Sequence, residues 1–170
     1  MKHKGGRDLR EAQTIDQIAK KENKRVEGWL LFYEDRLREY ENDRAEIVRT
    51  TSPSLFDGLK GPGISNPTGR MGVKLMELQE REQWLRLVEE VERKLPQKLR
   101  IYLRVRREYR HNAGNQGWVV RVQRDYAATM ARLTGLPEER HWIDSRRTFW
   151  VWWERIVEYA ARMAAKEGLL

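Results

Sequence analysis

The chain of 170 residues contains no cysteine. Disulfides, thiolate metal sites and cysteine nucleophiles are therefore excluded, and the chain reads as intracellular. Histidine is scarce. His3 falls in the N-terminal tail, and His111 and His141 fall in loops. A set built from His141 with Asp144 and Glu138 or Glu139 is oxygen-rich and histidine-poor, which makes a weak transition-metal site. The sequence also lacks G-x-x-x-x-G-K-[ST], H-E-x-x-H and G-x-S-x-G, the motifs of phosphate cradles, zinc hydrolases and nucleophile elbows. Gly58, Gly61 and Gly63 follow no strand, so they do not form a dinucleotide cradle. No catalytic residue, metal or cofactor is expected, and the protein does not read as an enzyme. No apolar run approaches the ~20 residues that span a bilayer. Residues Met1 to Gly6 lack the apolar core of a signal peptide. No membrane partner is expected.

What the chain has in quantity is charge. Charged residues make up 35% and hydrophobic residues 39% of the sequence, with a mean hydropathy of −0.85. These values fit a soluble helical protein better than a β-sandwich. The net charge of +8 is unevenly placed. Residues 1–25 hold eight Lys and Arg against four Asp and Glu, and residues 26–95 hold eleven against fourteen. Residues 96–170 hold fifteen against eight. Lys98, Arg100, Arg104, Arg106, Arg107, Arg110, Arg121 and Arg124 share their stretch with a single nearby acid, Glu108. A basic surplus confined to one folded segment points to a polyanion.

The pattern along the chain predicts an all-α fold. Residues 1–13 read as a flexible basic tail, and residues 14–50 as a helical arm. Within the arm a helix is expected over 26–49, with apolar residues at Val26, Leu30, Tyr33, Leu37, Tyr40 and Ile47. Their steps of three and four make a heptad seam. Packing on the chain's own core and pairing with a second copy fit that seam equally. Residues 51–67 read as a Pro- and Gly-rich linker, ending in Asn66 as a helix cap and Pro67 in the first helical position. Residues 68–95 read as an amphipathic connecting helix, with Met71, Leu75, Leu78, Leu85, Val88 and Leu95 on one stripe. Residues 96–170 read as a DNA-binding domain of the helix-turn-helix kind, with helices over 97–110, 118–133 and 145–166. Gly135 suits a left-handed cap closing the second of these, and one short turn is expected after Pro137.

The last helix is the most informative stretch. Asp144 or Ser145 can cap it by accepting a bond from an orphan backbone N–H. Phe149, Trp153, Ile156, Val157, Ala160 and Ala164 form its core stripe, flanked by Trp152 and Met163 on one side and by Trp150 and Ala161 on the other. Arg146, Arg147 and Thr148 fall in the first turn, where positive charge opposes the helix dipole. A helix that bears this cost while its flank is anchored in a core is how a helix-turn-helix presents side chains to the major groove. Ser145, Arg146, Arg147 and Thr148 are the candidate base-reading residues, since Arg pairs bidentately with guanine. Arg104, Arg107, Arg110, Arg121 and Arg124 are the candidate phosphate contacts, which set register without reading sequence.

Ser145-Arg-Arg-Thr-Phe149-x-x-Trp152-x-x-x-Ile156-Val157 resembles the closing helix of the RinA/ArpU-type phage transcriptional activators. Ser65-Asn66-Pro67-Thr68-Gly69-Arg70, followed by an amphipathic helix and a Tyr-bearing helix ending at Arg110, is a second matching stretch. The resemblance covers about residues 65–165. It implies a C-terminal half similar to region 4 of primary sigma factors. It also implies a non-enzymatic late-gene regulator acting on double-stranded DNA in the cytoplasm of a host bacterium, with Ser145–Thr148 opening the recognition helix. RNA polymerase is then a candidate partner, as is a second copy of the chain through helices 26–49 and 68–94. The stretch from Leu133 to Asp144 is longer than the tight turn usual in the motif, which leaves room for an extra helical turn. A second reading is a phage packaging protein such as a small terminase subunit, although such proteins tend to place the DNA-binding helices first.

Overall fold

The computed structural model describes residues 5–51, 67–112 and 114–170, with side chains from residue 16 to 49, 71 to 112 and 114 to 170. The fold is all-α. Its helices are α1 (Gly5–Leu31), α2 (Tyr33–Thr51), α3 (Pro67–Lys94), α4 (Gln97–Glu108), α5 (Trp118–Thr134) and α6 (Arg146–Lys166). Single 3-10 turns cover Arg110–Asn112 and Glu138–His141. Among the described residues there is no strand.

Local chemistry accounts for most of these boundaries. Pro67 opens α3, where its missing N–H is one of the unpaired donors in any case. Asn66 and residues 52–65 of the expected linker lie outside the described residues. Pro96 directly precedes α4. Gly135 closes α5 at φ 70°, with its N–H bonded to Ala131 O at 2.9 Å. A side chain there would be forced into the left-handed region, which glycine enters freely. The turn expected after Pro137 is the 3-10 segment Glu138–His141.

Two expectations are corrected. Residues 5–13, read as part of a flexible tail, form the first turns of α1. Gly5 and Gly6 stand only at the end of a run of good helix formers, where they interrupt nothing. The single helix expected over 26–49 is broken at Phe32. At that break the Arg107 side chain enters from α4 and donates Nε to Leu30 O at 2.8 Å. A side chain inserted into the carbonyl ladder is a recognised cause of a helix kink. The cation also suits the negative end of α1.

One apolar core runs through all six helices. It includes Val26, Trp29 and Leu30 of α1, Tyr40 of α2, Trp84, Leu87, Val88 and Val91 of α3, and the buried faces of α4, α5 and α6. The boundaries drawn at residues 68 and 96 therefore do not separate cores. α6 packs on α1, α3, α4 and α5, and α2 packs on α3. The expected seam is engaged within the chain: Val26, Leu30 and Tyr40 are buried, and Tyr33 and Leu37 are half-buried against the same core. α1 and α3 are joined by stacked indoles. Trp29 and Trp84 lie with centroids 5.4 Å apart and planes within 2°. Arg36 covers the Trp29 ring at 4.0 Å, and Arg25 covers Trp84 at 5.0 Å. Such contacts add to area burial at a site with few alternatives for either ring.

Candidate nucleic-acid interface

The start of α6 is capped by Ser145, not Asp144. Ser145 is extended (φ −137°, ψ 147°), and its Oγ accepts from the Thr148 N–H at 3.0 Å. Its hydroxyl also lies 2.9 Å from Thr148 Oγ1. Ser145, Arg146 and Arg147 are exposed and Thr148 is half-buried. Among the described residues neither arginine has an ion-pair partner. Ser145→Ala is expected to lower stability by about 1 kcal/mol, the usual value of an N-cap hydroxyl. Thermal unfolding of the two proteins side by side checks this.

The next turn of α6 is fixed in the core. Phe149, Trp152, Trp153, Ile156 and Val157 are buried, together with Ala160 and Ala164, so the stripe read from the periodicity is the stripe the fold uses. The Tyr102 hydroxyl of α4 donates to Phe149 O at 2.8 Å. The Tyr102 ring meets Phe149, Trp152 and Tyr126 edge to face at 5.2, 5.6 and 6.4 Å. Trp153 Nε1 donates to Glu27 Oε1 of α1 at 2.8 Å. Trp150 is half-buried, with its ring 5.9 Å from Trp118.

The approach to α6 runs along α5. The buried amide of Gln123 donates to Ile143 O at 2.8 Å, and Trp118 meets Phe149 at 5.6 Å. Residues 143 to 149 thus pass from the level of Gln123 to the level of Trp118. Arg121 and Arg124 are exposed on either side of Gln123. Among the described residues Arg121 has no ion pair, and Arg124 pairs with Asp125 at 3.4 Å. Helical spacing puts these two on the solvent face of α5, away from the Gln123 side chain that meets the connector.

The other three candidate phosphate contacts are engaged with acids. Arg107 is buried, with Nη1 on Glu92 at 2.6 Å and Nε on Leu30 O. Arg110 binds both oxygens of Asp35, at 2.7 and 2.9 Å. Arg104 is exposed but pairs with the other Glu92 oxygen at 2.5 Å. Burial pushes the Glu92 carboxyl up, yet its bonds to the two guanidinium groups outweigh this and hold it below the ordinary value. The Arg110 hydrogen bond likewise holds Asp35 below the ordinary aspartate value. The local count around residues 98–124 missed both acids because they come from α3 and α2.

Arg106 was not among the expected site residues. It is 6% exposed, and no carboxylate bonds it among the described residues. Its guanidinium carbon lies 3.7 Å from the Trp153 ring centre, and 5.0, 5.3 and 5.4 Å from those of Trp150, Phe149 and Trp118. Its Nη1 donates to the Tyr102 hydroxyl at 3.1 Å. Burial lowers its pKa, and Tyr102 partly offsets this. Its place on an apolar stripe with Leu99, Tyr102 and Leu103 was the available signal.

Burial raises the Tyr102 and Tyr126 phenols from 10.0 to about 12. The folded state then keeps protons that the unfolded chain releases. Each phenol contributes stability that is complete below pH 10 and is lost as pH rises towards about 12. The urea midpoint is expected to fall steeply across that window, and to fall less in Tyr126→Phe. Far-ultraviolet dichroism in a pH series measures both.

No protein-family model, curated protein or solved structure matches the chain.

Proposed function

We propose that this protein is a sequence-specific regulator of phage or prophage transcription, of the late-gene activator type. In this reading it binds duplex DNA with α5 and α6 as a helix-turn-helix. Ser145, Arg146, Arg147 and Thr148 enter the major groove and read base edges. Arg121 and Arg124 hold phosphates and set the register. The resemblance of residues 65–165 to the RinA/ArpU-type activators supports this role, with RNA polymerase as a candidate partner and the host bacterial cytoplasm as the site of action.

One observation carries the proposal. Arg146 and Arg147 stand in solvent on a capped helix end, without acidic partners among the described residues, while the turn behind them is locked into the core. Two adjacent cations at the positive end of a helix dipole repel each other and the dipole, and a polyanion relieves both repulsions. Among the described residues Arg25, Arg81, Arg86, Arg104, Arg107 and Arg110 bind carboxylates, and Arg146 and Arg147 bind none. Selection of the whole chain against a pool of random duplexes tests the reading. Enrichment of one motif is expected, bound at about 10 nM or tighter at physiological salt. A pool that stays random after repeated rounds overturns it.

A further inference from the structure

We infer that Arg106 is the positioning residue for the reading helix: a buried cation that determines which bases are read without touching DNA. The inference rests on the DNA-binding assignment of α5 and α6, and goes beyond it by locating what fixes their relative attitude.

A guanidinium taken out of water loses several kcal/mol of hydration, and a carboxylate partner is the usual compensation. Arg106 has none. Glu27, whose charge favours the cation from a distance, accepts from Trp153 Nε1 instead. What surrounds Arg106 is a set of aromatic faces, and their origin is informative. Trp118 is the first residue of α5, and Phe149, Trp150 and Trp153 come from the first two turns of α6. One side chain from α4 therefore touches the leading turns of both helices assigned to the groove.

The contact fixes orientation as well as distance. A guanidinium is flat and prefers to lie over a ring face, so four rings around one plane leave little freedom to rotate. A second constraint acts on the backbone. Arg106 Nη1 donates to the Tyr102 hydroxyl, and that hydroxyl donates to Phe149 O. Phe149 directly follows Thr148. The ring and the carbonyl of the residue behind the reading turn are thus tied to the same cation. An apolar side chain of similar volume would fill the space and avoid the desolvation cost, and such replacements often leave stability equal or higher. It would not fix the plane or hold the Tyr102 hydroxyl. Groove reading needs side chains placed within fractions of an ångström, and that is the property the cation supplies.

The test uses the whole chain and three proteins: wild type, Arg106→Met and Tyr102→Phe. Tyr102→Phe removes only the hydroxyl between Arg106 and Phe149 O, and keeps the inference falsifiable if Arg106→Met does not fold. The first readout is the ratio of affinities for the selected duplex and a scrambled one. Both variants are expected to lose about tenfold or more of that ratio, the scale of a disturbed base contact. Binding to the scrambled duplex and its salt dependence are expected to stay unchanged, because no phosphate contact is removed. A purely structural role would move melting temperature and both affinities together. The second readout needs no DNA. Since the chain has no cysteine, spin labels at Val120→Cys and Glu154→Cys report the α5–α6 spacing without interference. A narrow distance distribution is expected in wild type, and a broadened or displaced one in the variants. An unchanged distribution overturns the inference even if the protein reads DNA. A wild type that prefers no duplex sinks the DNA-binding assignment instead, and leaves the distance measurement to decide whether Arg106 sets the helix attitude.

Discussion

Replacing Arg146 and Arg147 together by alanine is expected to weaken binding to the selected duplex by a factor of about 100, if each arginine makes one good bidentate base contact. Both side chains are exposed and make no ion pair among the described residues, so the fold loses nothing it depends on. Helix content and melting temperature should match the parent, since exposed substitutions usually change stability by less than about 0.5 kcal/mol. Alanine also removes two cations from the positive end of the dipole, a small gain for the helix. Specific affinity is therefore lost without any loss of stability. Fluorescence anisotropy with selected and scrambled duplexes, paired with thermal melts, measures the two quantities. Equal affinity of parent and double variant for the selected duplex would contradict the assignment of the reading turn.

The second large effect concerns stability and lies on the opposite side of the charge balance. Glu92→Gln keeps the side chain's size but removes the charge that Arg104 and Arg107 share. The Arg107 side chain is only 6% exposed. Its guanidinium would remain in the core with the Leu30 carbonyl and no countercharge. Breaking a buried pair from one side costs about 3 kcal/mol or more, because the remaining charge is stranded. Chemical denaturation should show that loss, with binding to scrambled DNA unchanged at temperatures where the variant is folded. If Arg107 were instead free to hold phosphate, removing Glu92 would strengthen DNA binding and leave stability nearly intact. The two outcomes separate a structural arginine from a functional one.

The difference between Arg107 and Arg146 shows what a sequence does and does not disclose. Both read as surplus positive charge. Arg146 is two residues from an exposed acid, Asp144, in a run whose helical register was clear, so its exposure followed from the buried stripe behind it. Ser145, Phe149, Trp153, Ile156 and Gly135 were legible for the same reason: caps and 3.6-residue periodicity are local signals. The partners of Arg107 and Arg110 are not local. Glu92 lies on another helix, and Asp35 is 75 residues from Arg110. Charge counted in a window cannot register pairs that only the packing creates. The break at Phe32 escaped for a related reason, since the Arg107 side chain that reaches Leu30 O comes from α4. Arg106 is an intermediate case. Its position on an apolar stripe was visible, but its cage required α5 and α6 to be brought to α4.

The connector between α5 and α6 also links fold to proposed function. It is longer than a tight turn because it contains the 3-10 segment Glu138–His141 and then the extended run into Ser145. Thr134 and His141 close this segment through a 2.8 Å contact between Oγ1 and Nε2. Gln123 then pins Ile143. The extra length is thus held in place at both ends, and the reading turn begins from a defined point on α5.

The account's central claim is that the C-terminal helices dock a cationic edge into double-stranded DNA, and the salt dependence of binding tests it most directly. With Arg121 and Arg124 on phosphates, and the groove-bound Arg146 and Arg147 adding to the local positive charge, a plot of log affinity against log salt between about 50 and 200 mM should be linear with a slope of about −2 or steeper. Removing Arg121 and Arg124 should make that slope shallower by about 2. A chain that binds no duplex across this range, or binds with an affinity indifferent to salt, would contradict the account.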